Sequence, residues 1–255
     1  MQIFDNNTFH DFVGDAWLVE SREWGDEWRF SVSKQTVEKF GKIIRDTIYH
    51  HHSSFVLYDD IAELGFTLSA QSLRNRHSGN PKHRNTRMGN LGEVFGAHFA
   101  TSYLDYQSTV VFPKRLNTNV EQSMKGVDIL GFKDKNTPAE ILIGEVKTGA
   151  RFSKDATEDA YHELTKRQKS ELSKMLFFAK EYFTSQNDKD KTANIERHMK
   201  MDLPRNYLLL SITESKPQHP FDSIPEYRNK YGELQVLTVH IEIEGLVDLL
   251  PEVFS

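Results

Sequence analysis

The chain has 255 residues, a net charge of −5 and no cysteine, a length that suits one domain or one domain with an elaborated end. The missing cysteine excludes disulfides, thiolate nucleophiles and zinc–cysteine sites, and the negative balance means that a polyanionic partner would need a local basic patch. No apolar run approaches the ~18 residues of a membrane span, and Asp5, Asp11, Asp15, Glu20 and Glu23 stand where a leader would be apolar, so a soluble, cytoplasmic protein without a signal peptide is expected.

Residues 1–48 mix aromatic and charged side chains, with Trp17, Trp24, Trp28 and Phe30 close together. Val37, Phe40, Ile43, Ile44 and Ile48 recur at helical spacing and predict an amphipathic helix from Gln35 to Tyr49. The aromatic cluster reads as a core face or as a docking surface for a partner. His50, His51 and His52 read as a solvated loop. Phe55 to Tyr58 is a short strand candidate.

Seven basic residues, Arg74, Arg76, His77, Lys82, His83, Arg84 and Arg87, then fall in a window without an acid, broken by Gly79, Asn80, Pro81 and Asn85. A charge run is commonly a solvated loop. Here it would also serve as an arm that tracks phosphates with sequence-independent, salt-sensitive affinity. From Gly89 to about Tyr106 the pattern is helical, with Leu91, Val94, Phe95, His98, Phe99 and Tyr103 on one stripe and Glu93 off its centre. Glu93 alone is compatible with an acid favoured by the helix dipole, and His98 reads as a core histidine. Ser108 to Leu116 is a further strand candidate.

Lys125 to Thr148 organises the rest. Gly126 to Phe132 is an apolar strand carrying Asp128, Glu140 to Lys147 is a second strand carrying Glu145 and Lys147, and Asp134 to Pro138 supplies the turn. A hairpin symmetric about Asn136–Thr137 pairs residues whose numbers sum to 273, which sets Asp128 opposite Glu145. Facing residues lie about 4.5–5.5 Å apart, and alternation puts Glu145 and Lys147 on one face. Two carboxylates this close repel unless a cation sits between them. Mg²⁺, hard and oxygen-seeking, suits them, and a divalent ion can polarise a phosphoryl oxygen and acidify water. The bland reading is a surface hairpin with a salt-bridge pattern. The apolar setting and the glycines at 126, 131, 144 and 149 favour the catalytic one.

Beyond Gly149 come Arg151 and Lys154, then a long helix from Asp155 to Thr184 with Tyr161, Leu164, Leu172, Met175, Leu176, Ala179 and Phe183 at its apolar positions. Gln168 interrupts that stripe, and Lys166, Arg167 and Lys169 are positioned either to touch a nucleic-acid backbone or to be solvated. Gln186 to Lys200 reads as polar and mobile. Asn206 to Ile212 suits a buried sheet position. Gln235 to Ile243 alternates as a half-exposed strand near a sheet edge, and Gly245 to Phe254 closes with a short apolar helix or turn.

Asp128, Glu145-Val146-Lys147 and Glu93 on a preceding helix resemble the PD-(D/E)XK nuclease superfamily, with Val127 standing where the name has proline. From Arg87 through Gly149 the chain is similar to the HamA-type nuclease of the Hachiman anti-phage system and to its Abp cousin. The resemblance implies an α/β fold, a mixed sheet flanked by helices around an αβββαβ core at 87–255, with 1–86 as an N-terminal elaboration. It implies Asp128, Glu145, the Val146 carbonyl and Glu93 as ligands of Mg²⁺, with Mn²⁺ as a substitute, and Lys147 as the residue that orients water or offsets charge. Gln168 is carried over as a polar residue of the later helix that faces the site. DNA is the implied substrate, met by Arg74, Arg76, Lys82, Arg84, Arg87, Arg151 and Lys166.

A superfamily 2 helicase, HamB-like, is the implied partner; the chain has no P-loop of its own. No membrane and no small-molecule cofactor are expected. Two other readings stay open: a catalytically silent nucleic-acid-binding or scaffold subunit, and a site-specific restriction endonuclease.

Overall fold

The computed structural model describes residues 3–52, 83–106, 108–110, 127–133, 140–169, 172–185, 187–200 and 204–254. Seven strands form one sheet: β1 (Leu18–Arg22), β2 (Gly25–Val32), β3 (Ser108–Val110), β4 (Ile129–Phe132), β5 (Ile141–Gly149), β6 (Arg205–Thr213) and β7 (Leu237–Ile243), in the order β1-β2-β7-β6-β5-β4-β3. The four middle strands β2, β7, β6 and β5 are parallel, and the hairpin strands at each side are antiparallel. The fold is therefore α/β with a mixed sheet.

Helices cover both faces. On one lie α1 (Asn6–Val13), α2 (Lys34–His52), α3 (Arg84–Tyr103) and α8 (Leu246–Val253), which share a core with Leu142, Val146, Leu208, Leu210 and Ile241. On the other, α4 (Lys154–Lys169), α5 (Leu172–Ser185) and α7 (Ile224–Tyr231) pack on Ile141, Ile143, Tyr207 and Leu209, while α6 (Lys189–Lys200) packs beside α5. The order α3, β3, β4, β5, α4 and later β6 follows the αβββαβ pattern, with α5 and α6 inserted before β6. The N-terminal segment adds β1 and β2 to the same sheet, and Phe9, Phe12 and Phe40 to the core that holds Phe95 and Phe99.

Several expectations are corrected. Of the expected 155–184 helix, α4 and α5 are helical, and residues 170–171 between them lie outside the described residues. The segment read as mobile contains α6, which buries Asn194, Ile195 and His198 despite its charge. The histidine run continues α2 to His52 instead of forming a loop. Strand β7 is not near an edge, because β2 and β6 flank it and Thr238 and His240 are buried. Helix α3 starts at Arg84, so Arg84 and Arg87 are helical rather than part of a loop. The expected strand at 55–58, the basic residues Arg74, Arg76, His77 and Lys82, residues 111–116 and the turn 134–138 lie outside the described residues.

What seats the candidate site is the contact of α3 with β5. A Cβ at Gly92 would strike Thr148 Oγ1, and one at Gly96 would come within 2.8 Å of Val146 Cγ2 and 2.6 Å of Ile129 Cδ1. Glycine at these two positions, one turn apart, lets the helix backbone press on the strand. A Gly96→Val substitution meets the stiff, β-branched Val146 and should cost about 1–3 kcal/mol through overpacking. Urea unfolding with an unchanged midpoint would refute the close contact.

Candidate active site

The hairpin register is the one the sequence geometry requires. Ile129 pairs Gly144, Leu130 pairs Ile143, Gly131 pairs Leu142 and Phe132 pairs Ile141, each summing to 273. The ladder stops at Ile129, so Asp128 stands one step beyond it, opposite Glu145. Its Oδ2 accepts a hydrogen bond from the Val146 N–H at 2.8 Å, in place of a backbone carbonyl. Alternation sends Asp128, Glu145 and Lys147 toward the face covered by α4.

Glu145 is 5% exposed. Burial, reinforced by the charge of Asp128 and a hydrogen bond between the two carboxyls, pushes its pKa far above the ordinary carboxylate range, and Lys147 and Arg167 pull it back. A carboxyl held protonated in this way is a group short of positive charge. Two carboxyls and the Val146 carbonyl form an all-oxygen donor set of the kind hard divalent ions take. The residues present fit Mg²⁺ or Mn²⁺.

Glu93 is half-buried on α3, and Gly92 and Gly96 seat that helix against the other face of β5. Among the described residues no group of three His, Asp or Glu side chains is gathered closely enough to hold a metal ion. The structure thus joins Asp128 and Glu145 and leaves Glu93 out of that cluster. Arg167, on α4, enters it by acting on Glu145. Its signal in the sequence was its place seven residues after Ala160 and three after Leu164, which continues the buried side of α4. The candidate Lys166 instead lies exposed, with Nζ 2.6 Å from Glu163 Oε1. The side chain of Gln168 is outside the described ones.

Beside Lys147 opens a cleft of about 190 Å³, lined by Lys147, Arg151, Ser153, Thr157, Ser211 and Thr213 among others. Among the described residues no carboxylate lines it, and neither the Lys147 ammonium nor the Arg151 guanidinium forms an ion pair. Arg84 and Arg87 lie elsewhere, against α8, where the Arg87 guanidinium stands 5.7 Å from the Phe254 ring. His98 packs against Phe4 and Phe9 with ring centroids 5.6 Å away, consistent with a core role. No described helix is long and apolar enough to cross a membrane.

A family model described as HamA matches residues 20–234. Among curated proteins, the chain is similar to the Hachiman protein HamA of Bacillus cereus, with 36% identity over 80 residues. That stretch is 31% of this chain and spans 28% of the relative's length.

The carboxyl pair predicts a pH dependence. A carboxyl whose folded pKa is raised makes the folded state bind the extra proton, so its stabilising contribution is full below its unfolded value and is lost as pH rises toward the folded one. Burial depresses His198 and His240 to about 4, and they act in the opposite direction only below their ordinary value of 6.5. Between about pH 7 and 9 the slope belongs to Glu145, because the raised tyrosines and the raised Lys180 and Lys230 act only near and above their ordinary values of 10.0 and 10.5. Melting temperature in EDTA should fall between about pH 7 and 9 in the wild type and stay flat over that range in Glu145→Gln. Parallel slopes in the two proteins would contradict the buried pair.

Proposed function

The chain belongs to the HamA family, and on that premise we propose that it is a metal-dependent nuclease that hydrolyses DNA phosphodiester bonds as a component of anti-phage defence. One observation carries the chemistry: a buried glutamate forced against an aspartate at the end of a hairpin, with a lysine two residues on the same face. The match over 20–234 supports the defence role. The proposed partner is a superfamily 2 helicase, and the proposed compartment is the cytoplasm.

Asp128, Glu145 and the Val146 carbonyl would hold Mg²⁺ or Mn²⁺. When bound, the ion supplies Lewis-acid stabilisation of phosphoryl oxygen and acidifies water. The protein does the rest. The Val146 N–H orients Asp128 through the bond to Oδ2. Burial of Glu145 excludes competing solvent from the donor set and sharpens its preference for a cation. Lys147, with no ion pair among the described residues, is available to hydrogen-bond the attacking water or a phosphate oxygen. Arg167 offsets part of the acid pair's charge from the α4 side.

The test is cleavage of supercoiled plasmid and linear duplex with Mg²⁺, Mn²⁺ or EDTA. Wild type should degrade both only with metal, and Glu145→Ala or Lys147→Ala should lose about a hundredfold or more in rate, the scale of one transition-state charge contact. Both variants should keep the wild-type far-ultraviolet spectrum. Full activity in both would remove the site. Folded wild type inert with every metal and with the helicase present would favour the binding-subunit reading.

A further inference from the structure

The parallel strands carry a row of polar side chains away from Lys147. Lys147 pairs Ser211, Ser211 pairs His240 and His240 pairs Arg29, so β5, β6, β7 and β2 set these residues at one level on one face, where Ser211, His240 and Arg29 are buried, with Phe152 and Ser215 against His240 and the Gln218 carbonyl on Arg29. Three strand spacings make the row about 14 Å long. At the near end is the cleft with its two cations and no acid. Midway, the half-buried Phe152 lies edge-on to His240 with centroids 6.3 Å apart, and its N–H donates to Ser215 Oγ at 3.1 Å.

At the far end stands Trp17, 49% exposed in a chain whose other large aromatics are mostly buried. The Arg29 guanidinium lies 5.8 Å and Lys216 Nζ 5.1 Å from its ring centroid, and the Trp17 backbone N–H donates to the Arg29 carbonyl at 2.9 Å. Arg29 is in turn held by Glu27 and the Gln218 carbonyl. The held Arg29 guanidinium thus supports the indole from beneath while about half of Trp17 meets water. Lys216, 61% exposed, places a cation beside it, with Glu242 3.8 Å behind.

We propose that one unpaired strand of nucleic acid crosses the surface above this buried row, with a backbone phosphate in the Lys147–Arg151 cleft and a base, a few nucleotides away, stacked on Trp17. The inference rests on the nuclease reading and deepens it by naming the strand form the site takes. A supported aromatic beside a phosphate-sized cationic cleft is the pairing that single strands require: stacking accepts any base, and the cation follows the backbone. Bases within a duplex have their faces covered and cannot use Trp17.

Fluorescence anisotropy of a labelled oligothymidylate, with the full chain in EDTA over a salt series, tests it. Trp17→Ala should weaken binding about fivefold or more at every salt concentration and leave the salt slope unchanged. Trp17→Phe should recover most of the loss. Arg151→Ala should flatten the slope by about 0.7, one phosphate contact on a single strand. Wild-type affinity in Trp17→Ala, as a protein-docking role for this surface would give, overturns the proposal, and so does an unchanged slope in Arg151→Ala. Plasmid cleavage separates the two readings. Cleavage with Trp17→Ala binding normally removes the track and keeps the nuclease. The expected binding pattern without cleavage under any metal keeps the track and removes the nuclease.

Discussion

A strand paired on both edges and packed on both faces leaves a carboxyl at its centre little contact with water, and β5 imposes that condition on Glu145. The strand pairs β4 and β6, and its first six residues are all buried. Gly92 and Gly96 let α3 close one face, and α4 closes the other. Asp128 caps the free N–H of Val146 where β4 has ended, which brings the second carboxyl to the first. The charge problem at the site is therefore a consequence of sheet packing, and the same packing holds the donor oxygens in fixed positions.

A second buried glutamate shows what the fold does when it satisfies one. Glu27 occupies the same level of the sheet, through Leu209 and Thr238. It is fully buried, yet Arg29 Nε donates to it at 2.7 Å and Arg22 Nε stands 3.3 Å away. Desolvation largely cancels the attraction in such a group; its clear effect is to tie β1 to β2 through Arg22 and to hold Arg29 beneath Trp17. Glu145 meets another carboxyl instead. Uncompensated charge at one of two equivalent levels is the pattern of a site with work to do.

The hairpin was legible because its turn residues are dense and central, so symmetry alone set the register that Ile129↔Gly144 displays. Alternation in β7 was legible too, but its meaning was not. Thr238 and His240 look solvent-facing in sequence, and they are buried because that face of the sheet carries a polar row. Strands β1 and β2 were hidden by their charge, since nothing local announces that Glu27 and Arg29 pair. Helix α6 was hidden for the same reason, its one buried side made of Asn194, Ile195 and His198. Arg167 was read with Lys166 and Lys169 as a backbone contact or a solvated charge, because an arginine turned toward a buried carboxyl looks in sequence like its solvated neighbours.

The parallel pairing of β2 with β7 also has a bearing on how the chain acquires its shape. Ser31 and Glu242, which meet in that ladder, are 211 positions apart. Until β7 is synthesised, β2 has only β1 as a neighbour, and β6 has an open edge where β7 will lie. The carboxyl pair of β4 and β5 is local and forms early, whereas the row from Lys147 to Arg29 closes only when the last strand enters the middle of the sheet. Such non-local closure is slow and leaves two strand edges unpaired during translation. The nascent chain is thus a natural client for chaperones, and it carries the acid pair before it carries the full surface beside it.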